Sequence, residues 1–396
     1  MRVLVLGAGI VGITTAYELH RDGHEVTVID RELIRASGAR EIADLFRLIP
    51  GFHVTYANGA NPVVTYHGLF DGQFSKRMQV LVDGRSIYSP FFFGGVNWNL
   101  VSVSIEDIDR IEVLRGSNSA AYGSNAFLGV ANIITRDPTG LRMASGEVGG
   151  GSGKISDQRA RLGGRLGAVN YRLTVERRSD SGFEDVFDDK RIAFANLHAD
   201  VRLDDRDDLE IQFGANDYET GEALTPRLLG VPRTQHGKSY FAQARWRRVL
   251  AADEEMWLRG YWSRESLDDS FGLDLDTLDR TLRLALGLPR ILPFDLGYSA
   301  TRVNLEFQHT RGLGDRARLV WGGEVRRDDI ESPAQLGVGG HSFRLLRLFG
   351  NLEWRATAEL LLNLGATVEH NDLAGTRAAP RVMANYHLAP GHTLRA

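Results

Sequence analysis

The sequence predicts a mainly β protein: a small α+β domain, then an incomplete antiparallel β-barrel of the transmembrane kind, with a single β-α-β fragment in front. Three observations carry this. From about Gly140 onward, segments of roughly ten residues alternate in polarity and are separated by short polar turns and longer loops. Residues 33 to 138 mix a short helical stretch with short strands. Residues 1 to 32 read as buried strand, glycine turn, helix and buried strand.

Totals bound the alternatives. The 396 residues carry a formal net charge of -4, which argues against a nucleic-acid partner, since such proteins carry a basic excess. Mean hydropathy of -0.22 and the lack of a long uncharged apolar run exclude a helical membrane protein. A membrane barrel stays permitted, because strands that alternate apolar with polar keep the average low. With no cysteine, disulfides, zinc-cysteine sites and thiol nucleophiles are excluded. The 44 glycines against 11 prolines suit strands joined by many turns.

In the first segment, Val3 to Leu6 and Val26 to Ile29 are apolar runs flanking a helical pattern from Ile13 to His20. Gly7-Ala8-Gly9-Ile10-Val11-Gly12 between strand and helix is G-x-G-x-x-G, and Asp30 ends the second strand. Gly7 permits the tight turn, Gly9 the approach of a pyrophosphate, Gly12 close helix packing, and the acid accepts from a ribose hydroxyl. This Rossmann-like stretch resembles the N-terminus of D-amino acid dehydrogenases, which use FAD. The resemblance implies FAD only if the motif is functional, and an FAD-dependent oxidoreductase is the alternative function. Two strands and one helix cannot make a domain alone. No cofactor, no catalytic residue and no enzymatic activity are therefore expected of the chain. The segment also reads as a vestige of gene fusion, or, through Val3 to Ala16, as a signal-peptide core, although only Arg2 supplies its basic flank.

In the second segment, Glu41 to Leu48 has amphipathic helical spacing and stops at Pro50-Gly51. Strands are expected at His53 to Tyr56, Val63 to His67, Gln79 to Val82, Ile111 to Leu114 and Ala131 to Thr135, with Asp83-Gly84 as a hairpin turn. The run from Tyr88 to Trp98, with Phe91, Phe92 and Phe93, is dense in aromatics for a loop.

The stretches AREIADLFRLIPG (39 to 51), VLVDGR (80 to 85), IDRIEVLRG (108 to 116) and AYGSNAFLGVANIIT (121 to 135) occur in this order. They are similar to the plug of TonB-dependent outer-membrane receptors. The resemblance implies a plug held inside a barrel and TonB as energy-coupling partner. It further implies outer-membrane lipid around the wall and uptake of a small scarce ligand such as an iron-siderophore. It marks Asp83, Gly84, Arg110, Arg115, Gly116, Tyr122 and Gly123 as plug-motif positions. Arg115 matches a family arginine that pairs with a barrel glutamate, whose position here is open; Arg110, too, needs a partner if it faces the barrel. Tyr88, Phe91, Phe92, Phe93 and Trp98 would reach the ligand cavity, or else belong to the plug core or press on the wall. Two departures stand out. Tyr66-His67-Gly68 replaces the family's Ile-Arg-Gly, and the segment before the plug, where a TonB box is expected, has the flavoenzyme-like sequence and no recognisable signal peptide.

In the third segment, strands are expected at Asn170 to Arg177, Arg191 to Leu203, Leu209 to Asn216, Tyr240 to Arg248 and Met256 to Ser263. Further strands are expected at Thr301 to His309, Arg316 to Arg326, Phe343 to Trp354 and Leu360 to Glu369. At roughly ten to twenty residues per strand and turn, residues 140 to 396 supply about 11 to 14 strands, fewer than the 22 of plugged transporters. A truncated or chimeric product is the expectation that follows. The 11 histidines are scattered and no H-E-x-x-H occurs, so no metal site is expected. Asp204, Asp205, Asp207 and Asp208 read as a polar turn rather than a cation site.

Overall fold

The computed structural model describes residues 26–68, 78–91, 95–115, 128–141, 143–222, 232–275, 280–389 and 392–395. They form a small α+β domain seated against the concave face of a large antiparallel sheet.

The small domain is built on a five-stranded sheet. Its order is β1 (Val26–Asp30), β6 (Ile108–Arg115), β7 (Gly129–Thr135), β4 (Met78–Val82) and β5 (Arg85–Ser86). Only β4 and β7 run parallel. A separate pair, β2 (Phe52–Tyr56) and β3 (Pro62–Tyr66), packs beside it. Helix α1 (Arg31–Ser37) and the short α2 (Ile42–Leu45), which tightens into a 3₁₀ turn through Leu48, cover one face. Their apolar side chains Ile34, Leu45 and Phe46 join Ile29, Val82, Ile108, Ile111 and Ile133 in one core.

The strand expected to close a β-α-β unit is instead β1, the edge of this sheet, with Val26 opposite Leu114 and Asp30 opposite Arg110. The other expected strands of the segment are present within a few residues of their anticipated bounds. Asp83 and Gly84 both have positive φ, 47° and 77°. That is the pair of left-handed conformations a two-residue Asp-Gly hairpin requires.

The wall has 13 antiparallel strands in chain order, from β8 (Met143–Gly151) to β22 (His392–Arg395). Its middle is β10 (Val169–Asp180), β11 (Lys190–Arg202), β12 (Asp207–Glu222), β13 (Arg233–Ala251) and β14 (Glu254–Asp268). The small hairpin β15 (Ser270–Asp274) and β16 (Ile291–Asp295) stands outside the wall, which resumes at β17 (Tyr298–Gly312) and β18 (Ala317–Glu331). The first and last wall strands do not pair with each other, so the sheet is open. From β10 to β18, connections of two to four residues, such as Leu203–Arg206, alternate with longer ones, and towards both ends of the wall the connections are short.

Polarity on the wall is inverted relative to a water-soluble sheet. On β12, Gln212 is 2% exposed on the inner face and Phe213 is 49% exposed on the outer. On β17, Arg302 and Asn304 are buried while Val303 and Leu305 are exposed. On β10, Arg172, Thr174 and Glu176 point in and Leu173 and Val175 point out. Apolar-out and polar-in with period two is the pattern of a barrel wall that faces lipid. Among the described residues no helix is long and apolar enough to cross a membrane, which has no bearing on strands.

Candidate functional site

The small domain meets the wall through charge and hydrogen bonds. Arg40 reaches Asp157 at 2.7 Å and Asp180 at 3.0 Å, and Glu41 pairs with Lys190. Ser104 donates to Glu176 at 2.6 Å, and Asp107 faces Arg161 at 2.8 Å and Arg172 at 3.6 Å. Arg302 on β17 donates to the Tyr88 carbonyl at 2.9 Å while its other nitrogens hold Asp328. Arg85 lies 3.7 Å from the Phe241 ring centroid, and burial lowers its guanidinium to about 10.

The Asp83-Gly84 turn is where the sequence motif does more than reverse the chain. The Asp83 carboxylate accepts from Thr135 N and Thr135 Oγ1, both at 2.8 Å, tying the hairpin to β7. The same carboxylate accepts from Gln212 of the wall at 3.0 Å, and the Asp83 carbonyl accepts from Gln243 at 3.2 Å. Gly84 has its Cα against the Arg259 guanidinium, so that a Cβ there would overlap it. Arg259 in turn holds Glu306 at 2.5 Å.

Around this turn the wall contributes a group that sequence reasoning missed. His198 Nδ1 lies 3.2 Å from Thr135 Oγ1, and Gln212 also donates to Glu210 at 2.6 Å. Asp83, Thr135, His198, Glu210 and Gln212 thus form a closed polar ring spanning the two bodies. The available signal was His198-x-Asp200, which shares one strand face, with Glu210 across a short turn. Which residue lies opposite needs the strand register.

The remaining expected positions divide. Arg110 makes no described contact with the wall; it pairs with Asp109 at 2.8 Å, its neighbour in sequence, and with Glu112 at 2.7 Å, two residues on along β6. Arg115 lies on β6, with its side chain outside the described residues, as are Gly116, Tyr122 and Gly123. His67 is exposed, its ring centroid 4.1 Å from that of Tyr66, and it takes over no described contact to the wall. Asp204 and Asp205 lie in a polar turn, where Asp204 accepts from the Arg206 and Asp207 amides at 2.7 and 2.8 Å, while Asp207 and Asp208 begin β12.

Of the aromatic loop, Tyr88 is buried with its hydroxyl on the Met78 carbonyl, and burial raises its pKa. Trp98 is buried edge-on to Phe46 at 5.3 Å. Phe91 stacks on the wall's Tyr298 at 4.1 Å. Phe92 and Phe93 lie outside the described residues. Phe91 and Trp98 nevertheless keep an edge on a cavity of about 230 Å³ beside the long connections, lined also by Asn97, Tyr218, Arg233 and Asp269. Two of the five anticipated ligand residues therefore border a cavity, and Tyr88 serves the core.

Gly7, Gly9 and Gly12 lie outside the described residues. Asp30 does not stand free for a ribose: its carboxylate accepts from Leu33 N at 2.8 Å and caps α1. An acid between strand and helix serves either role by residue type alone. Nothing described supports an FAD site.

The comparisons agree with this architecture. Residues 21–130 match the model of the TonB-dependent Receptor Plug Domain, a match that begins inside the segment with flavoenzyme-like sequence. Over 222 residues the chain is 29% identical to the vitamin B12 transporter BtuB of Photobacterium profundum, covering 54% of this chain and 36% of that protein. Over 126 residues it is 32% identical to BtuB of Vibrio vulnificus, covering 32% and 20%. Among solved structures, the ferric enterobactin receptor PfeA of Pseudomonas aeruginosa aligns with a TM-score of 0.69 at 18% identity, covering 95% of this chain and 61% of that one. The siderophore receptor PirA of Acinetobacter baumannii aligns at 0.72 and 18%, covering 93% and 60%. The chain thus spans 36% and 20% of the length of these two curated relatives, and about three-fifths of these solved receptors. The fold is that of a plug domain with a large open antiparallel sheet like the barrels of TonB-dependent receptors.

Proposed function

We propose that this chain belongs to a TonB-dependent outer-membrane receptor that takes up a scarce, bulky ligand of the cobalamin or iron-siderophore class. One observation carries the reading. A domain matching the receptor plug docks by polar contacts against a 13-stranded wall whose outer face is apolar and inner face polar. An inner polar lining suits a passage for a hydrated solute, and the outer band suits lipid. TonB as the driver, outer-membrane location and the ligand class are supported by the likeness to these receptors.

The cavity between Phe91, Trp98, Tyr218 and Tyr298 is the place where ligand would rest on the plug. Flat aromatic faces with amide and charged groups at the rim suit a large, partly apolar ligand. Equilibrium binding of cyanocobalamin and of ferric enterobactin to the detergent-purified chain tests this, alongside membrane fractionation. Binding of one of them tighter than about 1 μM, weakened by Trp98→Ala, is the expected result. Recovery in the soluble fraction with neither ligand bound would sink the proposal.

A further inference from the structure

The closed ring at the Asp83 turn contains an arrangement that ligand uptake does not account for. Register across β11 and β12 puts Asp200 directly opposite Glu210, and His198 directly opposite Gln212. His198 Nε2 lies 3.3 Å from Asp200 Oδ1 and 3.7 Å from Glu210 Oε1. The three ligand-type atoms all lie within 4.8 Å of one another. Like charges directly opposed on one sheet face repel. Arg245, directly opposite Glu210 on β13, supplies one positive charge, and the side of the two carboxylates that faces His198 can take a second.

Hydrogen inventory narrows what supplies it. Thr135 directs its single hydroxyl hydrogen to Asp83 Oδ2. In the contact between Thr135 Oγ1 and His198 Nδ1 the threonine oxygen must then accept, so Nδ1 carries the hydrogen. Nε2 is left facing two carboxylates, with either a second proton or a lone pair that shares a cation with them. A tetrahedral site with ligand bonds of about 2.0–2.1 Å has ligand-to-ligand edges of about 3.3–3.4 Å. The His198–Asp200 separation of 3.3 Å matches that edge, and the His198–Glu210 separation of 3.7 Å exceeds it by a few tenths of an ångström.

We propose that His198 Nε2, Asp200 and Glu210 form a site for a divalent transition-metal ion of the zinc class at the junction of plug and wall. The surroundings are those of a supported metal site. The histidine's other nitrogen donates to an oxygen, and Gln212 holds the Glu210 carboxylate. All three ligands line a cavity of about 680 Å³, which gives an ion an entry path and leaves a coordination position for water. The ion's influence reaches the plug along two routes, His198 to Thr135 and Glu210 through Gln212 to Asp83. Occupancy would therefore tighten plug docking. This site is separate from the aromatic cavity and does not depend on which ligand is taken up.

Calorimetric titration of Zn²⁺ into the metal-free full chain in detergent is the test, with Co²⁺ absorption as a second readout. One equivalent of Zn²⁺ is expected. His198→Gln and Glu210→Gln should each weaken binding by about tenfold or more, while Asp204→Asn in the adjacent turn should leave it unchanged. Because a variant could fail to fold, X-ray absorption of the zinc-loaded unmodified chain provides an independent measurement, with one imidazole and oxygen ligands at about 2.0–2.1 Å expected. Absence of stoichiometric binding, unchanged affinity in both variants, or a spectrum lacking imidazole would overturn the site. So would a doubly protonated His198 ring in zinc-saturated protein, which would assign the positive charge to imidazolium.

Discussion

Asp107 of the plug faces Arg161 of the wall at 2.8 Å, with side-chain exposures of 1% and 7%. The atoms are close, but their N–H directions do not make a regular hydrogen bond, so charge rather than directional bonding holds them. Arg172, fully buried, stands 3.6 Å from the same oxygen.

Removing one partner of such a group strands the other in a dry site. Asp107→Ala should cost about 3–5 kcal/mol, because two buried guanidiniums lose their shared counter-charge. The double variant Asp107→Ala with Arg161→Ala should be less destabilised than the sum of the single variants. Chemical unfolding in detergent measures both, and strict additivity would show that the pair does not couple.

Gly84→Ala tests the turn. A φ of 77° strains any Cβ-bearing residue, and the added carbon would push Arg259 off Glu306. The backbone share is about 1–3 kcal/mol, and trimming Arg259 to alanine should relieve only the clash. A drop in melting temperature that Arg259→Ala rescues only in part is the expected pattern.

Asp30→Ala separates the two readings of that acid. Loss of an N-cap should lower stability by about 1 kcal/mol, visible as a small shift in melting temperature. Absorbance near 450 nm should be absent from both forms; flavin that vanishes on substitution would restore the oxidoreductase reading.

Glu106 should confer a pH dependence on the plug. Burial tends to raise its pKa, but the Arg35 hydrogen bond and the charges of Arg35 and Arg31, both at 3.0 Å, outweigh it and the net shift is downward. A lowered folded pKa adds stability above the unfolded value of about 4.3, lost as pH falls through the folded value. Thermal stability should fall with acidification from about pH 5 downward. Glu106→Gln should be less stable near neutrality and show a shallower acid slope; parallel curves would remove Glu106 as a contributor.

What could be read directly from the chain was whatever local chemistry determines. Asp83-Gly84 announces its hairpin because few dipeptides tolerate two left-handed residues, and strands such as Lys190–Arg202 announce themselves by alternation. Met143–Gly151, rich in glycine and exposed throughout its described side chains, has no such contrast to read. Val26–Asp30 was legible as a strand but not as a member of the plug sheet, since its partner lies some eighty residues away. The pairing of Asp107 with Arg161, and the meeting of His198, Asp200 and Glu210, depend on docking and register that no local pattern encodes. Residue type alone showed that Arg110 needs a partner, but not that its own strand supplies two.

The plug keeps its principal apolar core within itself, and its described ties to the wall are mostly polar, with apolar contact where Leu100 meets Ile192, Phe194 and Tyr218 and where Phe91 stacks on Tyr298. Solvent can replace a polar tie as it breaks, whereas an opened apolar core gains no such substitute. A force applied to one end of this domain would therefore meet resistance in instalments, bond by bond along the wall, before it threatened the fold itself.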